Sequence, residues 1–209
     1  MSDTLDQREY GLNVEQHFAK HGWAYIPKFV DKFECDALTR HMFALNDEGK
    51  MKTDRQCPFS SGIYGDPTMD TFLEVSRPKL SNLLNMSLLP TYTYARLYRT
   101  NETLMLHRDR PSCEISLTIT LGHEKNSEIW PFFFSRVDGY TNIHRQVIDV
   151  GGALIYRGID LWHWRQEYKG KWQTQVFLHY VDANGPNTDH AFDGREKLGD
   201  KLRIKKIID

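Results

Sequence analysis

LMLHRDRPSCEISLTI, residues 104–119, sets an imidazole and a carboxylate two residues apart, His107 and Asp109, inside what otherwise reads as barrel strand. Side chains on a strand repeat every two residues, so the pair shares one face and could hold one metal together. A third ligand must come from another strand. His123, His144, His163, His179 and His190 are the candidates downstream. His163 has the best platform: the apolar strand Ala153–Tyr156, a turn, then Trp-His-Trp.

The surroundings of this stretch point to β structure. After Pro90 come TYTYARLYRT (91–100), LMLH (104–107), EISLTITL (114–121), IWPFFFSRV (129–137), HRQVIDV (144–150), GALIYRG (152–158), DLWHWR (160–165) and WQTQVFLHYV (172–181). Short polar or Gly-containing gaps separate them, the pattern of a sandwich or barrel. Before Pro90 the texture is helical. Val14–Lys20 reads as the end of a short amphipathic helix and GWAYIP as a strand. Asp31–Leu45 reads as a helix capped by Asp31 with Glu34 three residues on. Residues 46–67 are expected to be loop, with Cys57–Pro67 placed as a lid over the site. Residues 68–89 are expected to form one or two helices broken near Pro78. The charged tail 194–209 is expected to be a short outer helix or partly disordered.

Composition narrows the function. Over 209 residues, 27 Lys+Arg and 28 Asp+Glu leave a formal net charge of -1, which argues against nucleic acid or an anionic membrane as partner. Cys35, Cys57 and Cys113 form no C-x-x-C pair and fit a reducing, cytoplasmic setting. MSDTLDQREYGLN has no apolar signal segment, and no stretch is long enough to span a membrane. The expected organisation is a single domain: helical support over about 12–89, a β core over about 90–182 and a charged tail over 183–209.

His107, Asp109 and His163 together make a 2-His-1-carboxylate set, the facial triad of non-haem Fe(II) oxygenases. Three ligands on one face of an octahedral ion leave three positions for a bidentate cosubstrate and O₂. Two neutral imidazoles and one carboxylate leave one residual positive charge, which favours an anionic cosubstrate.

At the level of whole motifs the chain resembles the 2-oxoglutarate- and Fe(II)-dependent dioxygenases, in their prolyl-4-hydroxylase-like branch. IPKFVDKFECDALTRHM resembles that branch's opening strand, turn and helix. ARLYRTNETLMLHRDRP resembles its strand leading into His-x-Asp, with Asn101 where glycine is usual. VGGALIYRGIDLWHW resembles the strand leading to the distal His, and GKWQTQVFLHY the last core strand. The resemblance covers nearly all of residues 22–182. It implies a mainly β (α+β) fold, a double-stranded β-helix or jelly-roll core with N-terminal supporting helices. It implies Fe(II) on His107, Asp109 and His163, 2-oxoglutarate and O₂ as cosubstrates, ascorbate as an optional addition, and succinate and CO₂ as coproducts. With Asp109 present, hydroxylation of an unactivated C–H bond is the default outcome, on a small molecule or an amino-acid or peptidyl substrate.

The far carboxylate of 2-oxoglutarate needs a basic partner. The resemblance puts Lys171 slightly ahead, with Arg165, two residues after His163, as rival and Tyr98 as a second contact. Arg96 has the parity to point into the barrel and needs an acidic partner, which a substrate carboxylate could supply. Arg110 shares the ligand face unless Pro111 turns it outward. Arg108 and the flanking Trp162 and Trp164 should face away from the metal, and His179 reads as a hydrogen-bonded core histidine. Two other functions stay open: a cupin-like jelly roll that binds metal or ligand without turnover, and a carbohydrate- or protein-binding jelly roll.

Overall fold

In the computed structural model, residues 13–125, 127, 129–136 and 141–199 are described. Helix α1 (Val14–His21) opens on a reciprocal capping box between Asn13 and Gln16 and closes on Gly22 in the left-handed region. Strand β1 (Trp23–Ile26) follows. Helix α2 (Lys32–Asp47) is capped as its sequence indicates, Asp31 accepting from the Glu34 amide at 2.8 Å.

Two expectations need correction in the next segment. Residues 46–67 are not all loop, because β2 (Ser61–Tyr64) forms an edge strand beside the long strand β3 (Leu88–Arg99). Its glycine decides the contact: a Cβ on Gly62 would lie 2.4 Å from the Tyr94 hydroxyl oxygen. Helix α3 (Pro67–Leu84) also runs unbroken through Pro78. An interior proline costs about 3 kcal/mol. Here Phe72, Leu73, Leu80 and Leu84 on both sides of it share one core, and their packing outweighs that cost.

The remaining strands are β4 (Leu104–His107), β5 (Ile115–His123), β6 (Phe132–Ser135), β7 (His144–Gln146), β8 (Ala153–Tyr156), β9 (Trp162–Arg165) and β10 (Trp172–Asp182). They form two antiparallel sheets, β1-β8-β5-β10-β3-β2 and β4-β9-β6-β7. This is the jelly-roll core expected from the sequence. Strands β6 and β7 are shorter than expected, and Val137 lies outside the described residues. Asn101 has φ 68° and so takes the left-handed conformation that glycine supplies elsewhere.

The sheet faces explain how the site arises. On β5, Ile115, Leu117, Ile119 and Leu121 pack with α1, α2 and α3 residues such as Phe18, Met42 and Leu73 in the main apolar core. The alternate residues Ser116, Thr118 and Thr120 point the other way and are also fully buried. On β10, Val176, Leu178 and Tyr180 join the helices, while Gln173, Gln175 and His179 face inward. One face of the large sheet therefore seals an apolar layer and the other lines a polar interior. At one end of the barrel the lining is aromatic, with Phe132, Phe134, Leu154 and Tyr156 in contact.

The C-terminal segment is tied down where it is described. Arg195, which the sequence places in a charged tail outside the fold, is buried against Asp70 of α3, and the Gly199 amide bonds the same carboxylate. The expected tail helix lies largely outside the described residues.

Candidate metal centre and cosubstrate cavity

Strands β4 and β9 lie side by side with His107 directly opposite His163, and the two ring centroids are 4.2 Å apart. Each ring donates its Nδ1 hydrogen to a carbonyl two residues back, His107 to Met105 at 2.8 Å and His163 to Leu161 at 2.9 Å. That fixes the tautomer and turns both Nε2 lone pairs to a common point. Asp109 Oδ1 faces the same point, 3.7 Å from His107 Nε2 and 3.5 Å from His163 Nε2. The three donor atoms all lie within 4.8 Å of one another.

The donor set fits a divalent metal chemically. Burial, then the neighbouring His163, pushes the His107 imidazole down to about 4, so it is neutral at physiological pH. Burial alone would raise Asp109, but His163 beside it holds its carboxyl below the usual range. The Gln56 amide lies 3.3 Å from His107 Nε2, which shows the lone pair turned to the cavity. Gly158 makes room for the carboxylate. Its carbonyl accepts from the Asp109 amide at 2.9 Å, and a Cβ there would lie 2.5 Å from Asp109 Oδ2.

A cavity of about 410 Å³ opens beside the triad, walled by Tyr64, Tyr92, Tyr94, Arg96, Phe177 and His179. Arg96 has found its acidic partner within the chain. Asp54, from the loop before β2, takes both guanidinium nitrogens at 3.2 and 2.8 Å and also accepts from Tyr94 at 2.7 Å. The Cys57–Pro67 stretch expected as a lid instead carries strand β2, paired in the sheet with Tyr64 on the cavity wall, and the residues that reach the site from the loop are Asp54 and Gln56 before it. Arg110 lines the cavity at its rim, stacking on Tyr92 and paired with Asp193, so Pro111 does not turn it away from the site. Asp193 also accepts from Tyr64 and Ser112, and it follows Phe192 in a run of positive φ. These contacts brace the C-terminal segment against the cavity wall. Arg108, expected to face away, lies over Trp162 and also borders the cavity, while Trp164 stacks on Phe133.

Deeper in the barrel sits Arg165, two residues after His163 on β9 and 1% exposed. Its Nη1 donates to the Trp130 carbonyl, and the guanidinium packs against the Trp130 and Phe132 rings. Its Nε and Nη2 have no hydrogen-bond partner, and it forms no ion pair among the described residues. The Tyr98 hydroxyl and Gln173 Oε1 are likewise buried and unpartnered. Burial lowers Arg165 to about 10, so it remains a cation at neutral pH. Orphaned polar groups of this kind are rare in folded proteins and costly. An unpaired buried cation beside a free phenol has the chemistry to receive an anion.

Lys171 is elsewhere. Its side chain is 82% exposed and pairs with Glu124 at 3.0 Å on the surface. It precedes the first residue of β10, where the chain has not yet entered the barrel. His123 bonds within its own turn, His144 packs against Trp23 and Phe134, and His190 lies beside Ser112. Sequence reasoning passed over Gly158, Asp54, Gln56, Ser116 and Asp193. Only Ser116 had a signal, the alternation of ISLTITL, whose polar members Ser116, Thr118 and Thr120 are all buried.

No family model matches the chain, and no curated protein sequence matches it. Its fold does match solved structures. A Pseudomonas putida prolyl-4-hydroxylase superposes with a TM-score of 0.65 at 14% identity, covering 82% of this chain and 98% of that one. A Trichoplax adhaerens prolyl hydroxylase, in complex with a peptide fragment of the hypoxia inducible factor oxygen degradation domain, gives 0.66 at 13% identity, covering 87% and 91%. HygX from Streptomyces hygroscopicus, with nickel and 2-oxoglutarate bound, gives 0.61 at 12% identity, covering 80% and 85%. The chain therefore has the fold of the 2-oxoglutarate and Fe(II) oxygenases.

Proposed function

We propose that the protein is an Fe(II)- and 2-oxoglutarate-dependent dioxygenase that hydroxylates an unactivated C–H bond. The observation that carries this is a conjunction within one barrel. His107, Asp109 and His163 converge at its mouth, and Arg165, buried and without a counter-anion, lies on the strand that carries His163. A cupin-like or lectin-like jelly roll has no need of the second feature.

Fe(II) with bound 2-oxoglutarate supplies the O₂ activation and C–H oxidation, with succinate and CO₂ as coproducts. The chain's residues hold and orient the reactants. The two Nε2 atoms and Asp109 Oδ1 ligate the metal and leave one net positive charge to attract an α-keto acid. Arg165 takes the far carboxylate, and the Tyr98 hydroxyl donates to the same group. Trp130 and Phe132 keep that end dry, where a charged hydrogen bond is strongest. Lys171 takes no part.

The substrate class is a small molecule or an amino-acid or peptidyl group. A cavity of about 410 Å³ walled by tyrosines suits one ring or one side chain at a time. The peptide-bound Trichoplax structure supports the peptidyl alternative. No described helix is long and apolar enough to cross a membrane. Three free, buried thiols, Cys35, Cys57 and Cys113, fit a reducing, cytoplasmic setting.

The test is turnover. Purified protein with Fe(II) and 2-oxoglutarate in air should release succinate slowly even without substrate, and His107→Ala should reduce it to the rate of free iron. Folded wild-type protein with no succinate above that background would defeat the proposal.

A further inference from the structure

Asp109 has two oxygens, and only one faces the metal point. The other, Oδ2, lies 3.2 Å from the Ser116 hydroxyl, its one hydrogen-bond donor among the described residues. The same hydroxyl lies 2.9 Å from His179 Nδ1 and 3.1 Å from the Cys113 carbonyl. Ser116 and His179 are directly opposite on β5 and β10, both facing the barrel interior and both buried. One hydroxyl hydrogen has to be shared among three neighbours, and the choice can be worked out.

If Ser116 gave its hydrogen to His179 or to Cys113, Asp109 Oδ2 would be a buried anionic oxygen with no donor. That costs more than leaving a neutral acceptor weakly bonded. The hydrogen therefore goes to Asp109. His179 Nδ1 must then carry a hydrogen and donate it to the serine oxygen, because two bare acceptors at 2.9 Å would repel. An imidazole with hydrogen on Nδ1 has its lone pair on Nε2. His179 Nε2 has no hydrogen-bond partner among the described residues, and His179 lines the substrate cavity. Tyr92 lies against the ring at 4.5 Å between centroids, tilted by 31°.

We propose that Ser116 and His179 form a donor chain, His179 Nδ1 to Ser116 Oγ to Asp109 Oδ2, which sets the metal carboxylate and presents His179 Nε2 to the cavity as an acceptor. Two consequences follow, both resting on the metal site proposed above. The chain holds Asp109 with Oδ1 toward the metal and Oδ2 occupied, which favours single-oxygen ligation and keeps a metal position open for the cosubstrate. The substrate also carries an O–H or N–H donor near the bond that is oxidised, because the tautomer imposed from the metal side offers it an acceptor. Ser116 is a positioning residue. His179 is a positioning residue toward the metal and a specificity residue toward the substrate.

The experiment uses Co(II) as the metal probe under argon, with binding read from its visible d–d spectrum, alongside the circular dichroism of each variant. Removing such a support to a metal ligand typically costs 10- to 100-fold in affinity. Ser116→Ala and His179→Phe should each weaken Co(II) within that range and shift the d–d bands, as the carboxylate changes its mode of ligation. His179→Asn places an amide donor near the Nδ1 position and should recover most of the affinity and the wild-type bands. A merely structural role for the ring would be met by Phe and not by Asn. Wild-type Co(II) affinity and spectrum in both Ser116→Ala and His179→Phe would overturn the donor chain while leaving the metal site intact. Failure of wild-type protein to bind Co(II) would instead overturn the metal site, and the donor chain with it. If Ser116→Ala alone fails to fold, Ser116→Cys, with a longer bond and a weaker donor, should give the same weakening in a folded protein, and unchanged affinity there overturns the chain.

Discussion

Arg165→Met is expected to raise the apparent KM for 2-oxoglutarate by roughly 100-fold or more, while Lys171→Ala leaves it within about twofold. Truncating one partner of a buried charge pair typically costs 2–5 kcal/mol, which is about 30- to several thousand-fold in binding. The Lys171 side chain is in solvent with Glu124, where an ion pair is worth about 0–1 kcal/mol. The same substitution should leave the ligand-free protein at least as stable as wild type. Arg165 is buried without a counter-anion in that state, and an unflexed apolar chain of similar length removes the desolvation cost. The measurement is a thermal melt with and without 2-oxoglutarate in Mn(II). Wild type should gain several degrees from the cosubstrate and Arg165→Met none. A large ligand-induced gain in Arg165→Met would move the anchor elsewhere.

Arg195→Ala or Asp70→Ala should each destabilise the protein by about 3–5 kcal/mol, because each leaves a buried charge without its partner. At roughly 2–4 °C per kcal/mol for a chain of this size, that lowers Tm by about 6–20 °C. The pair is fully buried and heavily shared. Asp70 also accepts from Thr93 at 2.7 Å and from the Gly199 amide at 2.8 Å, and Arg195 donates to the Thr91 carbonyl at 2.9 Å. The double variant Asp70→Ala/Arg195→Ala should cost clearly less than the sum of the two. Strict additivity in a melt series would show that the pair contributes no coupling. The Arg195 contact also anchors the segment carrying Asp193, so the single variants should loosen the cavity wall around Arg110 and Tyr64.

How much of this was legible follows the range of each interaction. The candidate metal ligands were legible because His-x-Asp is local, although β4 ends at His107 and Asp109 is set beyond it by its amide bond to Gly158 rather than by strand parity. His163 needed only a second strand with a suitable platform. Helix α2 was legible from its cap, since Asp31 and Glu34 lie three residues apart, whereas α1 was read from its amphipathic pattern and its Asn13 cap was not. Pro78 misled because local propensity favours a break, whereas burial on both flanks is a tertiary effect. The basic anchor was the hardest. Likening GKWQTQVFLH to the last core strand of the resembled family pointed to Lys171, yet what decides is where the chain enters the barrel, and that depends on the length of the β9–β10 turn. Arg165 was visible as a rival by parity alone. Asp54 and Asp193 could not be found in sequence, since they reach the cavity from segments with no regular periodicity.

The most direct test of the central claim is an anaerobic titration of the Fe(II)-loaded protein with 2-oxoglutarate, followed in the visible. A bidentate keto acid on ferrous iron gives a weak charge-transfer band, absent with iron or cosubstrate alone. Wild type should develop that band to a saturating one-to-one endpoint, His163→Ala should show none, and Arg165→Met should need far more 2-oxoglutarate to reach it. Folded wild-type protein that binds Fe(II) and shows no band at saturating 2-oxoglutarate would contradict the account.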